Sequence, residues 1–340
     1  MTNILINYNF ITFKVSIMKV CSHAVVVSVS VVVVAFISVF YFRPEYIIKA
    51  LNMVIRIKNG LRLRQMYMPG NHINIEYFER DCKGKCEHYV LFVHGIAVSK
   101  EDFADAVKHL PTNYKIVAMD LPGHGGSATV EGQYGTDYFV FMMKSFTDNI
   151  GLHKPFHIVG HSLGGYLVSA YAAQFPGDVL SITSISPGGV KNKGADQLVK
   201  EFDESDGKKC KLIPETEAEV VKLLEFLFHT KQELHPWIIT GILQLRESKN
   251  DFLRQVLREA FQVYTKYEKG LTYFLKQVKV PVLVVWGKQD QVLHVESINE
   301  IKEEVTAPLT VELIDDCGHV PSLETPEKLM TAIQKFIDTV

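Results

Sequence analysis

The chain carries 340 residues, with 36 Lys and Arg against 38 Asp and Glu and a formal net charge of −2. That length suits one large domain or two smaller ones, and the balanced charge argues against the basic stripe of a nucleic-acid binder. Five cysteines, an odd number in a long chain, do not form a disulfide framework, and no Asn-x-Ser/Thr acceptor is present.

Residues 1–19 carry no readable element. Residues 20–42, VCSHAVVVSVSVVVVAFISVFYF, contain no Asp, Glu, Lys or Arg. About 20 apolar residues span a hydrocarbon core of roughly 30 Å, so this stretch is expected to be a transmembrane anchor. It is too long for a strand. Phe40, Tyr41 and Phe42 also stand where a cleaved signal peptide would need small residues. Lys14 and Lys19 precede the span, whereas Arg43, Lys49, Arg56, Lys58, Arg62 and Arg64 follow it. This asymmetry places the remainder of the chain in the cytosol. Residues 43–71 read as a basic amphipathic juxtamembrane segment, with Ile47, Ile48, Leu51, Val54 and Ile55 on one helical face. Composition allows that helix either to lie on an anionic leaflet or to pack on the domain.

From residue 72 to residue 340 the pattern alternates. Strands are expected over 72–79, 89–95, 115–120, the segment HIVGHS, 179–186, 281–287 and 309–315, with a helix over 100–110 and another in the closing PEKLMTAIQKFIDTV. Cys82 and Cys86 flank Lys83-Gly84-Lys85, a hairpin turn across which they could bridge in an oxidising compartment. In the cytosol they would stay reduced, and free thiols are the expectation. Short, continuously apolar strands separated by helices predict an α/β fold, a mostly parallel sheet covered on both faces. Residues from about 190 to 275 hold no strand pattern and are too long for a plain connection, so they are read as an inserted helical cap.

The segment FHIVGHSLGGYLVSAYAAQFP carries the chemistry. An apolar strand ending in Gly-x-Ser-x-Gly and running straight into a helix forms a nucleophile elbow, with Ser162 at its tip. Gly160, Gly164 and Gly165 lack side chains where strand and helix must approach closely. A serine nucleophile needs a base and an orienting acid, in the chain order Ser, Asp or Glu, His. Asp290 follows the strand PVLVVWG, and His319 follows LTVELIDDCG, so both sit at strand carboxyl ends. His161 is read as packing, and Asp315 and Asp316 as solvated loop residues too near His319 to orient it. The oxyanion amides are expected from Leu163 and from Ile96, in the loop with His94 and Gly95. DLPGHGGS (120–127) lacks the Gly-Lys-Ser/Thr ending of a phosphate loop and is read as a structural turn. No metal-ligand cluster or dinucleotide fingerprint is present, so neither metal nor cofactor is expected.

Over residues 72–340 the chain resembles the α/β-hydrolase superfamily, and within it the membrane-anchored monoacylglycerol lipases. LFVHGIAVSKEDF, MDLPGHGGS, KPFHIVGHSLGGYLVSAYAAQFPGDV, LIPETEAEV, VVWGKQDQVL and VELIDDCGHV carry the resemblance. It implies hydrolysis of monoacylglycerols such as 2-arachidonoylglycerol to fatty acid and glycerol, with lysophospholipids as further substrates and the bilayer as partner. It also implies nucleophile, acid and base at Ser162, Asp290 and His319. Ile96 departs from the aromatic residue expected there, which bears on the alcohol pocket. VVKLLEFLF (220–228) and PWIITGIL (236–243) could wall an acyl-chain tunnel or simply cover the sheet. Two other readings share these residues: a meta-cleavage carbon–carbon hydrolase, and a membrane-tethered binding module without turnover. Val320 after His319 and the expected anchor weigh against the first, the intact triad against the second.

Overall fold

A computed structural model describes residues 25–340, apart from 36, 69–72, 133, 154 and 267–269. Residues 1–19 and residues 20–24 of the expected anchor therefore lie outside the described residues. Val25–Phe42 forms α1, a helix long and apolar enough to cross a membrane, with its valines exposed. Eighteen residues rise about 27 Å, close to the thickness of a hydrocarbon core.

Helix α2 (Glu45–Lys58) follows after Arg43 and Pro44. Its apolar residues do not share one environment. Ile48, Asn52, Ile55 and Arg56 turn toward the protein, whereas Tyr46, Leu51, Met53, Val54 and Ile57 stay exposed. The helix thus packs along one edge and leaves an apolar face free along the other.

The sheet begins earlier than expected. β1 (Arg62–Met68) pairs antiparallel with β2 (Ile73–Arg80), so residues 62–68 belong to the sheet rather than to a juxtamembrane segment. Ladder hydrogen bonds occupy its backbone, and Arg64 pairs across to Glu79 at 3.1 Å. After β2 the chain turns through Gly84, at φ +87°, and Cys82 and Cys86 are joined by a disulfide with Cα atoms 5.4 Å apart. This corrects the free-thiol expectation: the turn itself brings the pair within bridging range.

Strands β3 (His88–Val93), β4 (Tyr114–Met119), β5 (Phe156–His161), β6 (Val179–Ile185), β7 (Val282–Gly287) and β8 (Leu309–Ile314) complete an eight-stranded sheet of order β1-β2-β4-β3-β5-β6-β7-β8. Every pairing from β4 to β8 is parallel, and β2 is the reversed strand. Alternation within the strands feeds two cores. Leu91, Val93, Phe156 and Ile158 face one side with α3 (Thr136–Asn149) and α4 (Leu163–Gln174). Val90, Phe92 and Val159 face the other, against Phe103, Val107 and the C-terminal helix described below.

The helix expected over 100–110 is instead two 3-10 turns, Lys100–Phe103 and Ala106–His109. Lys100 anchors the first turn: its amide donates to Asp120 Oδ1 at 2.7 Å and its ammonium to Oδ2 at 2.8 Å. Between β6 and β7 the described residues form α5 (Lys193–Glu204), α6 (Glu217–Leu227), α7 (Pro236–Glu247), α8 (Asn250–Lys266) and α9 (Leu271–Leu275). Helix α10 (Ile298–Glu304) precedes β8, and α11 (Pro321–Glu324) and α12 (Pro326–Ile337) close the chain. Leu329, Met330 and Ile333 of α12 are fully buried, each adding on the order of 1.5–3 kcal/mol to the second core.

Candidate active site

Ser162 lies between β5 and α4 with φ 55° and ψ −114°, in backbone space that a side chain other than glycine rarely enters. Such a conformation costs on the order of 1–3 kcal/mol and persists only where its surroundings enforce it. Two glycines do the enforcing. A Cβ on Gly160 would come within 2.2 Å of the Gly164 carbonyl oxygen, and one on Gly164 within 2.3 Å of the Val93 oxygen. Strand and helix therefore meet backbone to backbone. Gly165 lies against Pro187, and Gly95 against the Ser162 side chain, where a Cβ would sit 3.1 Å from Ser162 Cβ.

Asp290 and His319 converge as expected. His319 Nδ1 donates to Asp290 Oδ2 at 2.8 Å, and both residues are buried. Three further donors fix the carboxylate: Trp286 Nε1 at 3.1 Å on the same oxygen, and the Val292 and Leu293 amides, each at 2.9 Å on Oδ1. With Nδ1 committed to the acid, Nε2 is the ring nitrogen left for proton transfer. The Ser162 hydroxyl makes no hydrogen bond among the described residues. Catalytic hydrogen bonds of this kind commonly tighten only when substrate arrives. Asp315 and Asp316 are exposed, and Asp315 pairs with Lys288 at 2.6 Å.

Ile96 and Leu163 flank Ser162, and neither amide donates to a protein acceptor among the described residues. His94 holds the Ile96 loop from beneath. Its Nδ1–H donates to the Gly95 carbonyl at 2.7 Å while its Nε2 accepts from the Leu121 amide at 3.0 Å. One donor and one acceptor fix a neutral ring, and complete burial pushes its pKa down to about 4. The DLPGHGGS turn is structural: Asp120 accepts from the Gly126 amide at 2.7 Å as well as from Lys100, so its amides point inward.

Ser162, Ile96 and Leu163 open onto an apolar cavity of about 110 Å³. Its walls include Tyr166 of α4, Ala195 and Leu198 of α5, and Val256, Leu257 and Phe261 of α8. Residues 220–228 and 236–243, read as either tunnel wall or sheet cover, do not line this cavity. Residues 236–243 pack instead on the N-terminal helices, with Trp237 5.1 Å from Phe40 between ring centroids and Gly241 against Ile48 and Pro44. A larger hollow of about 480 Å³ lies among Lys208, Lys211, Glu215 and Lys222. It touches none of Ser162, Asp290 and His319, and its wall mixes these charges with Ile213, Pro214, Leu223 and Phe226.

Three side chains escaped the sequence reading. Trp286 was visible only as an apolar strand residue, yet its indole orients Asp290. Glu324 accepts from the Gly318 amide at 2.6 Å and from the His229 and Thr230 amides at 3.2 and 2.6 Å, tying the loop after α6 to the loop that carries His319. Asp102 receives a hydrogen bond from His161 Nδ1 at 3.1 Å, and His161 Nε2 meets the main-chain oxygen of His319 at 2.7 Å. His161 is therefore buried as expected, but in a polar network rather than as packing alone.

Comparison with known proteins gives the family. Residues 89–208 match the family described as alpha/beta hydrolase fold. The chain is 30% identical over 321 residues to monoacylglycerol lipase ABHD6 of Bos taurus, covering 91% of each chain. It is 29% identical over 327 residues to the Homo sapiens protein of the same name, covering 92% of this chain and 93% of that one. Among solved structures, a bacterial membrane phospholipase A superposes with a TM-score of 0.80 at 25% identity, covering 93% of this chain and 98% of the other.

Proposed function

The chain belongs to the α/β-hydrolase family, and from that premise we propose that it is a membrane-anchored serine hydrolase cleaving monoacylglycerols to fatty acid and glycerol. The observations that carry this reading are the Asp290–His319 hydrogen bond, the contact of His319 with His161, and the strained serine next to His161 that opens onto an apolar cavity. His319 takes the Ser162 proton as the hydroxyl attacks the ester carbonyl. The Ile96 and Leu163 amides hold the oxyanion, helped by the positive end of the α4 dipole. Glycerol departs with the proton from His319, and a water activated by the same ring releases the fatty acid.

The monoacylglycerol lipase and phospholipase A relatives and the apolar wall support a lipid ester as substrate. At about 110 Å³ the cavity is smaller than the roughly 300–1,000 Å³ of a typical ligand cleft, so a long acyl chain requires α5 and α8 to part. In this reading α1 spans the bilayer, the exposed face of α2 meets the leaflet, and the charges after residue 42 hold the catalytic domain in the cytosol. The Cys82–Cys86 disulfide stands against the cytosolic side, since such bonds persist in oxidising compartments.

Release of glycerol from a panel of monoacylglycerols and lysophospholipids tests the reading, alongside fluorophosphonate labelling. Ser162→Ala is expected to lower turnover by about 10⁶-fold with the fold intact. Retained ester hydrolysis in that variant overturns the assignment. Absence of both labelling and turnover in the unaltered protein would favour a binding module.

A further inference from the structure

Two buried histidines flank the site, and their partners dictate opposite charge. His94 stands between an acceptor and a donor, which a neutral ring satisfies. His161 stands between two acceptors, the Asp102 carboxylate and the His319 carbonyl, which only a ring with both nitrogens protonated satisfies. A carboxyl group is the stronger acid, so the shared proton rests on the imidazole. His161 is 2% exposed and Asp102 6%, so an unmade bond here costs the full desolvation of the group.

We propose that His161 is a positioning residue: a buried imidazolium, held by Asp102, that fixes the main chain of His319 and so sets the base against Ser162. The inference rests on the reading of His319 as base. Because His161 directly precedes Ser162, a single side chain links the nucleophile's strand to the base's loop. The groups facing it are Asp102 from the 3-10 turn, His319 from the loop after β8, Asp290 from the loop after β7, and His94 from the loop after β3. Burial alone would lower its pKa, but the hydrogen bond and charge of Asp102, aided by the His319 carbonyl and Asp290, outweigh it and raise it. The sign follows: the cation persists past the ordinary histidine range, and its bond to the His319 carbonyl is lost as pH rises through the raised pKa.

The test uses full-length protein in vesicles and measures kcat and KM for a monoacylglycerol from about pH 6 to about pH 10, between the ordinary His and Tyr pKa values. The unaltered protein is expected to show an alkaline fall in kcat with KM flat. His161→Phe should lose roughly ten- to a hundredfold in kcat across the range, with KM little changed, as expected when a base is misplaced. His161→Gln should recover most of that loss and abolish the alkaline fall, since its amide donates to the same carbonyl without titrating. Asp102→Asn should move the fall to lower pH, and decides the matter if the phenylalanine variant does not fold. An unchanged profile in Asp102→Asn, or wild-type kcat in a folded His161→Phe, overturns the inference. Ser162→Ala separates the two failures: if it retains activity the triad reading falls, and if it is inactive while His161→Phe behaves normally only this inference falls.

Discussion

Two glycines, one at the carboxyl edge of the sheet and one in the helical insert, show how differently the two regions are built. At Gly164 the space for a side chain is closed by the Val93 and His94 carbonyl oxygens, 2.3 and 2.6 Å from an added Cβ. At Gly241 of α7 the nearest atom is the terminal methyl of Ile48 at 2.7 Å, with the Pro44 main chain beyond 3 Å. Backbone cannot retreat without dismantling the sheet, whereas a methyl at the end of a side chain can rotate away. The edge holds atoms where chemistry needs them; the insert holds surfaces where contact suffices.

The first way to test that contrast is at Asp290, where four donors converge. Asp290→Asn keeps the shape but favours the wrong His319 tautomer, and kcat is expected to fall about 10⁴-fold with an unchanged unfolding midpoint. Steady-state kinetics beside a thermal melt checks this, and a fall under tenfold would remove Asp290 from the site. The second is Gly164→Ala, expected to cost about 3 kcal/mol or more, since overpacking against fixed backbone exceeds the ordinary range. Denaturant unfolding reads it directly. The third is Gly241→Ala. Alanine's better helix propensity, worth about 1 kcal/mol, offsets the displacement of Ile48, so stability should change by no more than about 1 kcal/mol in either direction. A large loss there would mean the insert is as tightly fixed as the edge.

The same contrast explains what could be read from the residues in order. Ser162 and its glycines were legible because the elbow is local: strand, turn and helix are contiguous in the chain. Asp290 and His319 were legible because each follows an apolar strand, and strand ends share one edge of a parallel sheet. What stayed hidden depends on distant partners. Lys100 is anchored by Asp120, β1 exists only because β2 is there to pair with it, and His161 takes its contacts from Asp102 and His319. The choice between tunnel wall and sheet cover stayed open for a related reason. Residues 220–228 and 236–243 are apolar, but hydrophobicity says that a surface is covered, not by what.

The packing of α7 on α1 and α2 has a mechanical consequence. Trp237 leans on Phe40, and the Gln244 side chain donates to the Phe42 carbonyl at 3.4 Å, so this helix is moored to the segment expected to stand in lipid. The cavity beside Ser162 is roofed by other helices, α5 and α8. The mooring and the roof thus belong to different helices, so loosening one would leave the contacts of the other in place.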